Sequence, residues 1–232
     1  MNRRALVLRP QPGADRTAAR LRALGVTAEV QPLFTIAPVA WQPPAPEDFD
    51  ALLLTSANAP RLAGPSLATL QNLPVLTVGE ATAAAARRVG LEAAMVGDRD
   101  VAALLAQARS AGFGRLLHLA GRERVELPDV RQLTVYASDP APIDAATVRG
   151  WSEHVALLHS PRAARRFAAL IDSQGVDRST VDIAAISPAV ATAAGGGWAR
   201  RIAATEPDDG ALTALARELI DQPRPRADKQ PA

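Results

Sequence analysis

Residues 75–108 read VLTVGEATAAAARRVGLEAAMVGDRDVAALLAQA. An apolar run, Val75–Val78, stops at Gly79, and an alanine-rich stretch, Thr82–Val89, follows. A second run, Ala93–Val96, stops at a turn carrying Asp98 and Asp100, and Val101–Arg109 follows. Both runs are continuous rather than alternating, as in strands covered on both faces. The stretches after them are rich in alanine, the strongest helix former. Strand, helix, strand, helix in that order builds a parallel sheet with right-handed crossovers.

The same grammar extends in both directions. Further apolar runs are Ala5–Leu8, Ala51–Leu54, Leu116–Leu119, Val155–Leu158, Ile183–Ile186 and Ile202–Ala204. Amphipathic stretches at Asp15–Leu24, Ala163–Ile171 and Leu212–Ile220 read as helices. Two proline-rich regions, 36–50 and 133–146, interrupt the pattern, each beside a short β-like run (Leu33–Ile36 and Leu133–Ala137). They read as crossings between domains. An internal repeat supports that reading. ALLLTSANAPRLAG (51–64) resembles ALLHSPRAARRFAA (156–169), and 75–108 resembles 183–216. Ser56 to Ser160 is 104 positions, Gly79 to Ser187 is 108 and Asp100 to Asp209 is 109.

The expected fold is therefore α/β, with two similar parallel-sheet α/β domains joined by a two-stranded β-linker, the first domain discontinuous. The boundaries expected are 1–35 plus 142–222 for domain 1 and 49–130 for the inserted domain 2. Residues 36–48 and 131–141 would be the linkers, and 223–232 a disordered tail. A cleft between two such domains is a favoured ligand site.

Composition excludes several chemistries. The 232 residues include no cysteine, so disulfides, thiolate nucleophiles and cysteine-bound metals are out. Lys229 is the only lysine and lies in the Pro/charged tail, which excludes a Schiff-base enzyme. Aromatic residues are 3%, too few for the stacking platforms of single-strand nucleic-acid binding. Arginines are spread along a chain of net charge +2, so no DNA-binding face is expected. No apolar run reaches the ~18–20 residues that span a bilayer, and no signal-like stretch opens the sequence. A cytoplasmic, monomeric protein with no membrane partner is expected.

Candidate site residues lie where apolar runs end. They are Arg9; Thr55, Ser56 and Asn58; Gly79, Glu80, Ala81 and Thr82; Gly121 and Arg122; Ser160 and Pro161; and Ser187 and Pro188. Ser and Thr at such turns serve first as helix caps. The same turns leave first-turn N–H groups unpaired, and these bind carboxylate or phosphate. Arg9 reads equally as a carboxylate clamp or a surface arginine. His118 and His159 read as packed or solvated side chains rather than bases. The histidines show no metal-ligand spacing, so no metal and no cofactor are expected. No Walker loop, G-x-G-x-x-G fingerprint or nucleophile elbow occurs.

In order and spacing, VLRP (7–10), TAEVQPLFTI (27–36), FDALLLTSANA (49–59), VLTVGEATAAAARRVG (75–90), LLHLAGRE (116–123), LTVYAS (133–138), VALLHSPRAARRF (155–167) and IAAISPAVATAA (183–194) resemble the uroporphyrinogen-III synthase family. The resemblance runs from Leu6 to about Ile220. It implies two α/β domains joined by two β-linkers. It also implies a lyase that closes hydroxymethylbilane, a linear tetrapyrrole with eight carboxylates, inverting the last pyrrole and releasing water without a cofactor. The family's proposed path passes through an azafulvene and a spiro intermediate. By resemblance Ser56, Thr82 and Ser160 are the catalytic candidates, with substrate held at the turns around Gly79 and Ser187, and Thr82 pointing its hydroxyl at the cleft. A tyrosine that some members carry one turn into the helix after Ser160-Pro161 falls here on Arg166, and the chain's single tyrosine, Tyr136, lies in a linker. Ala189 and Val190 stand where some members have threonines. Backbone-dominated binding follows from these departures. Transient contact with the upstream bilane-forming enzyme is a further expectation. A diverged, non-catalytic binding protein for an anionic ligand is the competing reading. A flavodoxin-like nucleotide binder, judged on the βα pattern alone, ranks lower for lack of a phosphate fingerprint and of aromatic residues.

Overall fold

The computed structural model describes residues 3–222; the expected tail at 223–232 and Lys229 lie outside them. The chain begins with β1 (Ala5–Val7), α1 (Gly13–Ala23), β2 (Ala28–Val30) and β3 (Phe34–Pro38). There follow β4 (Ala51–Leu54), α2 (Asn58–Leu62), β5 (Val75–Val78), α3 (Glu80–Arg87), β6 (Ala93–Gly97), α4 (Val101–Ser110), β7 (Leu116–Gly121) and β8 (Val130–Pro140). The last part holds α5 (Ala145–Arg149), β9 (Val155–Leu158), α6 (Pro161–Ser173), β10 (Asp182–Ala185), α7 (Pro188–Ala193), β11 (Arg200–Ala203) and α8 (Asp209–Asp221). Each apolar run singled out in the sequence coincides with a strand.

The chain divides into two compact units. One takes in the chain up to Thr35 and again from Pro140; the other is Ile36–Asp139. The first unit's sheet runs β11-β10-β9-β1-β2, all neighbours parallel. The second runs β6-β5-β4-β7-β8, again parallel, with β3 added beyond β8. The segment expected as a linker at 131–141 is thus mostly strand β8, paired to β7 from Val130 to Tyr136.

Read from β2 and from β8, the two orders match strand for strand, with β1 and β2 in the places of β7 and β8. The first unit's order is the flavodoxin-like one, and its connectivity reverses between β1 and β9. In the second unit the reversal falls between β4 and β7. Ligands of open α/β sheets bind outside the carboxyl ends of the strands at such reversals.

Apolar side chains cover both faces of each sheet, which is why the central strands read as continuous runs. In the first unit, Leu6, Leu158, Phe167 and Ile183 pack on one face, and Val7, Leu21, Leu157 and Leu212 on the other. Phe167 lies between Trp151 and Trp198, with ring centroids 5.5 and 5.6 Å away. In the second unit, Leu52, Leu54, Leu117 and Leu119 face α2 and α3, while Leu53, Leu76 and Leu116 face Leu104, Leu105 and Ala108 of α4.

One difference between the units shapes a cavity. In the first, α1 fills the crossover from β1 to β2. In the second, β7 passes to the parallel β8 through residues 122–129, which contain no helix. The sheet face shared with α4 is therefore left without a second helix.

Candidate functional site

A cavity of about 320 Å³ opens on that face, at the carboxyl ends of β4, β5 and β7. It lies at the β4/β7 reversal, within the second unit. Thr55 and Ser56 of the turn after β4 line it, with His118 and Gly121 of β7, Arg124 of the crossover and Tyr136 of β8. Gly121 is required here, because a Cβ would lie 2.8 Å from ring carbons of Tyr136.

The polar side chains of this cavity are tied together. His118 is 2% exposed. Its Nε2 lies 2.9 Å from the Thr55 hydroxyl, and its Nδ1 lies 2.9 Å from the Gln132 amide nitrogen. Gln132 stands opposite His118 in the β7–β8 register. Its amide nitrogen also donates to the Val125 carbonyl (3.1 Å), and its amide oxygen accepts from the Leu127 N–H (3.2 Å). Arg124 donates from Nη1 to Thr134 Oγ1 at 2.7 Å and to the Gly121 carbonyl at 3.3 Å. Burial, and secondarily the Arg124 charge, push the His118 imidazole down to about 4, so it is neutral at physiological pH.

The other sequence candidates of this unit lie outside the cavity lining. The Asn58 N–H donates to Ser56 Oγ at 3.2 Å, closing the turn after β4. Gly79 adopts φ 78°, ψ 148°, and its N–H is taken by the Gly97 carbonyl at 2.7 Å. The N–H groups of Thr82 and Ala83 turn back to the Gly79 carbonyl. Those of Glu80 and Ala81 have no acceptor among the described residues, so the start of α3 offers two donors. The Glu80 carboxylate is exposed and pairs with Arg87. Thr82 is 4% exposed and sits one turn before Ala86, on the side of α3 that packs on the sheet. Arg122 is exposed and pairs with Asp139 at 2.6 Å. Asp100 caps α4, accepting the Ala103 N–H at 2.8 Å.

The first unit carries its own cluster at the β1/β9 reversal. Arg9, expected as a possible clamp, donates from Nη1 to Asp209 Oδ1 (3.2 Å) and Thr17 Oγ1 (3.4 Å). The same Asp209 oxygen accepts from Thr17 Oγ1 at 2.7 Å and meets His159 Nε2 at 2.9 Å. Burial holds the His159 imidazole below its ordinary range, against the opposing pull of Asp209. Burial would raise Asp209, but hydrogen bonds from His159 and Thr17 and the Arg9 charge outweigh it and hold the carboxyl low. Ser160 caps α6, accepting the Ala163 N–H at 3.2 Å, with Pro161 at the first helical position. Ser187 and Pro188 repeat this at α7, through the Val190 N–H at 3.4 Å. Arg166 donates to the carbonyls of Leu33 (3.0 Å) and Ala141 (2.6 Å). Among the described residues no three His, Asp or Glu side chains gather as a metal site.

Comparison with known proteins settles the family. The model described as Uroporphyrinogen-III synthase HemD matches residues 15–214. The chain belongs to the uroporphyrinogen-III synthase family. Its fold is similar to that of uroporphyrinogen-III synthetase from Helicobacter pylori 26695, with a TM-score of 0.68 at 17% identity over 94% of this chain and 100% of that one. A mutant uroporphyrinogen III synthase from the extremely thermophilic bacterium Thermus thermophilus aligns with a TM-score of 0.51 at 19% identity, over 96% of this chain and 100% of that one. No curated protein matches the sequence. No helix among the described residues is long and apolar enough to cross a membrane.

The sequence reading placed Thr55, Ser56 and Gly121 at strand ends, and these three line the cavity. It did not find Gln132, and it placed Tyr136 in a linker. The signal for both was the pairing of β8 with β7, which needs the strand register.

Proposed function

We propose that the protein is a uroporphyrinogen-III synthase, cyclising hydroxymethylbilane with inversion of the terminal pyrrole and loss of water. The observation that carries this reading is family membership over residues 15–214. The turn geometry supports it. The unpaired N–H groups of Glu80 and Ala81, at the positive end of α3, suit a carboxylate of a polycarboxylate substrate. The chemistry asks for little acid–base power, because the bilane cyclises unaided to the uninverted isomer. Breaking the bond from carbon to the hydroxymethyl oxygen releases water and leaves an azafulvene. Its carbon then bonds to the substituted position of the last pyrrole, giving the spiro intermediate. The older bridge bond at that position then breaks, its methylene carbon bonds to the free α-carbon of the same pyrrole, and loss of the proton from that carbon yields the inverted macrocycle. Holding the chain so that the spiro geometry wins is a positioning task, and positioning alone supplies several kcal/mol.

The test is direct. Freshly made hydroxymethylbilane is supplied, and the products are oxidised and resolved into type I and type III uroporphyrin. Type III is expected; type I alone at the spontaneous rate overturns the reading.

One observation favours a second reading, a non-catalytic binder of an anionic tetrapyrrole. Where some family members carry a tyrosine, Arg166 spends its guanidinium on two backbone carbonyls. Tight binding of uroporphyrinogen with no type III product would establish that alternative.

A further inference from the structure

The polarity of the cavity network can be followed atom by atom. Backbone groups fix it at one end, since an N–H can only donate and a carbonyl can only accept. The Leu127 N–H therefore requires the oxygen of the Gln132 amide, and the Val125 carbonyl requires its nitrogen. The amide has one orientation that satisfies both. Its second N–H then points at His118 Nδ1, which must be an acceptor. A neutral imidazole bare at Nδ1 carries its proton on Nε2. That proton is donated to Thr55 Oγ1. The hydroxyl already accepts this bond, and its own hydrogen finds no acceptor among the described residues, while Thr55 lines the cavity. Thr55 is half-buried and the cavity is open on one side, so this donor is free to meet a ligand that enters.

We propose that Thr55 is a hydrogen-bond donor to an acceptor oxygen of the substrate, and that Gln132 and His118 are positioning residues that aim its hydrogen into the cavity. The inference rests on the synthase reading for the identity of the substrate. Two oxygens of hydroxymethylbilane share the required chemistry, the departing hydroxyl and a side-chain carboxylate. In either case no proton is transferred by this network. Behind Nδ1 stands the Gln132 amide, which donates a hydrogen bond but is no acid, so nothing replaces a proton given up at Nε2. The charged and titratable groups that share the cavity with His118 are Arg124, whose charge acts on it, and Glu123 from the crossover with Tyr136 from β8.

The experiment measures kcat, KM and the type III fraction for the full chain with hydroxymethylbilane, from about pH 6 to about pH 9. Thr55→Val keeps the shape and removes the donor. It should lose about tenfold or more, and Thr55→Ser should recover most of that loss. A loss in kcat assigns the bond to the departing hydroxyl, and a rise in KM to a carboxylate. Gln132→Glu is the sharper variant. A carboxylate opposite Nδ1 draws the imidazole proton there, leaving Nε2 bare, so Thr55 must turn its hydrogen back to His118. This variant should match Thr55→Val at high pH. It should recover as pH falls, because the new carboxylate favours a doubly protonated imidazole that again donates from Nε2. The parent protein should show no such recovery. Parent-like kinetics in Thr55→Val, or in Gln132→Glu at every pH, overturns the proposal. The ¹⁵N signals of His118 in the unaltered protein give an independent reading. Nε2 protonated and Nδ1 bare is expected, and the reverse overturns the proposal even where Gln132→Glu fails to fold. If the unaltered protein makes type I product only, the synthase reading falls alone, and the imidazole signals still decide the network's polarity.

Discussion

Gly79 shows what a single residue contributes to a strand end. Its φ 78°, ψ 148° belongs to a region that side-chain-bearing residues avoid, yet a Cβ built there meets nothing within 4 Å. The demand is on the backbone, not on space. Gly79→Ala should therefore cost about 1–3 kcal/mol, read as a lower urea midpoint with unchanged slope. A cost below a few tenths would show that the turn relaxes without strain. Asp182 is the opposite case, a residue held by its partners. Fully buried at the start of β10, it accepts from Arg200 Nε and Nη2 at 2.8 and 3.0 Å and pairs with Arg3. Removing the charge leaves two arginines facing a neutral, largely dry pocket. Asp182→Ala should destabilise by about 3–5 kcal/mol, whereas replacing Arg200 alone, with Arg3 still in place, should cost less. Equal costs would mean that Arg3 contributes nothing.

Helix α6 is the element whose parts can be tested separately. Ser160 caps it, and Ser160→Ala should cost about 1 kcal/mol. Phe167 fills the space between two tryptophans, and Phe167→Ala should cost about 3–5 kcal/mol. If Ser160→Ala changed turnover far more than stability, the hydroxyl would be serving substrate rather than the helix. This element was legible in the sequence because its apolar positions recur at helical spacing and a Ser-Pro pair marks its start. Of the short helices, α2 and α7 showed only their cap residues, and α5 gave no signal. They have too few turns to show a period, and they persist because tertiary packing holds them. Strand β2 was missed for a related reason. It is an edge strand of half-buried residues, and Glu29 breaks the apolar run that marks the central strands. The cavity was legible only in part. Thr55, Ser56 and Gly121 follow from the rule that strand ends carry the site. His118 and Gln132 meet because the β7–β8 register sets them opposite each other, and that register is a property of the folded sheet.

Across the whole molecule, each unit sets one histidine at the place where its strand order reverses, His118 buried by β4/β7 and His159 half-buried beside β1/β9. Both are held below the ordinary value of 6.5, His118 to about 4. The consequence for stability has a definite sign. Between about 4 and 6.5 the unfolded chain binds protons that the folded chain refuses, so unfolding is favoured as pH falls through that window. Stability from His118 is complete above 6.5 and is lost towards about 4, and His159 adds a loss of the same sign as pH falls. His118 alone accounts for about 3 kcal/mol of this loss, at 1.36 kcal/mol per pH unit. The carboxyls held low by partners, Asp50, Asp172 and Asp209 among them, lose their contribution only below their ordinary value of 3.8. The acid limb between 6.5 and about 4 therefore belongs to the histidines. His118→Gln, which can still reach Thr55 and Gln132, should be less stable than the parent near neutrality. It should also lose less on acidification, so the two urea-unfolding curves of free energy against pH converge. Parallel curves would mean that His118 is already protonated in the folded protein, and that the hydrogen-bond order from Leu127 to Thr55 is not the one its neighbours dictate.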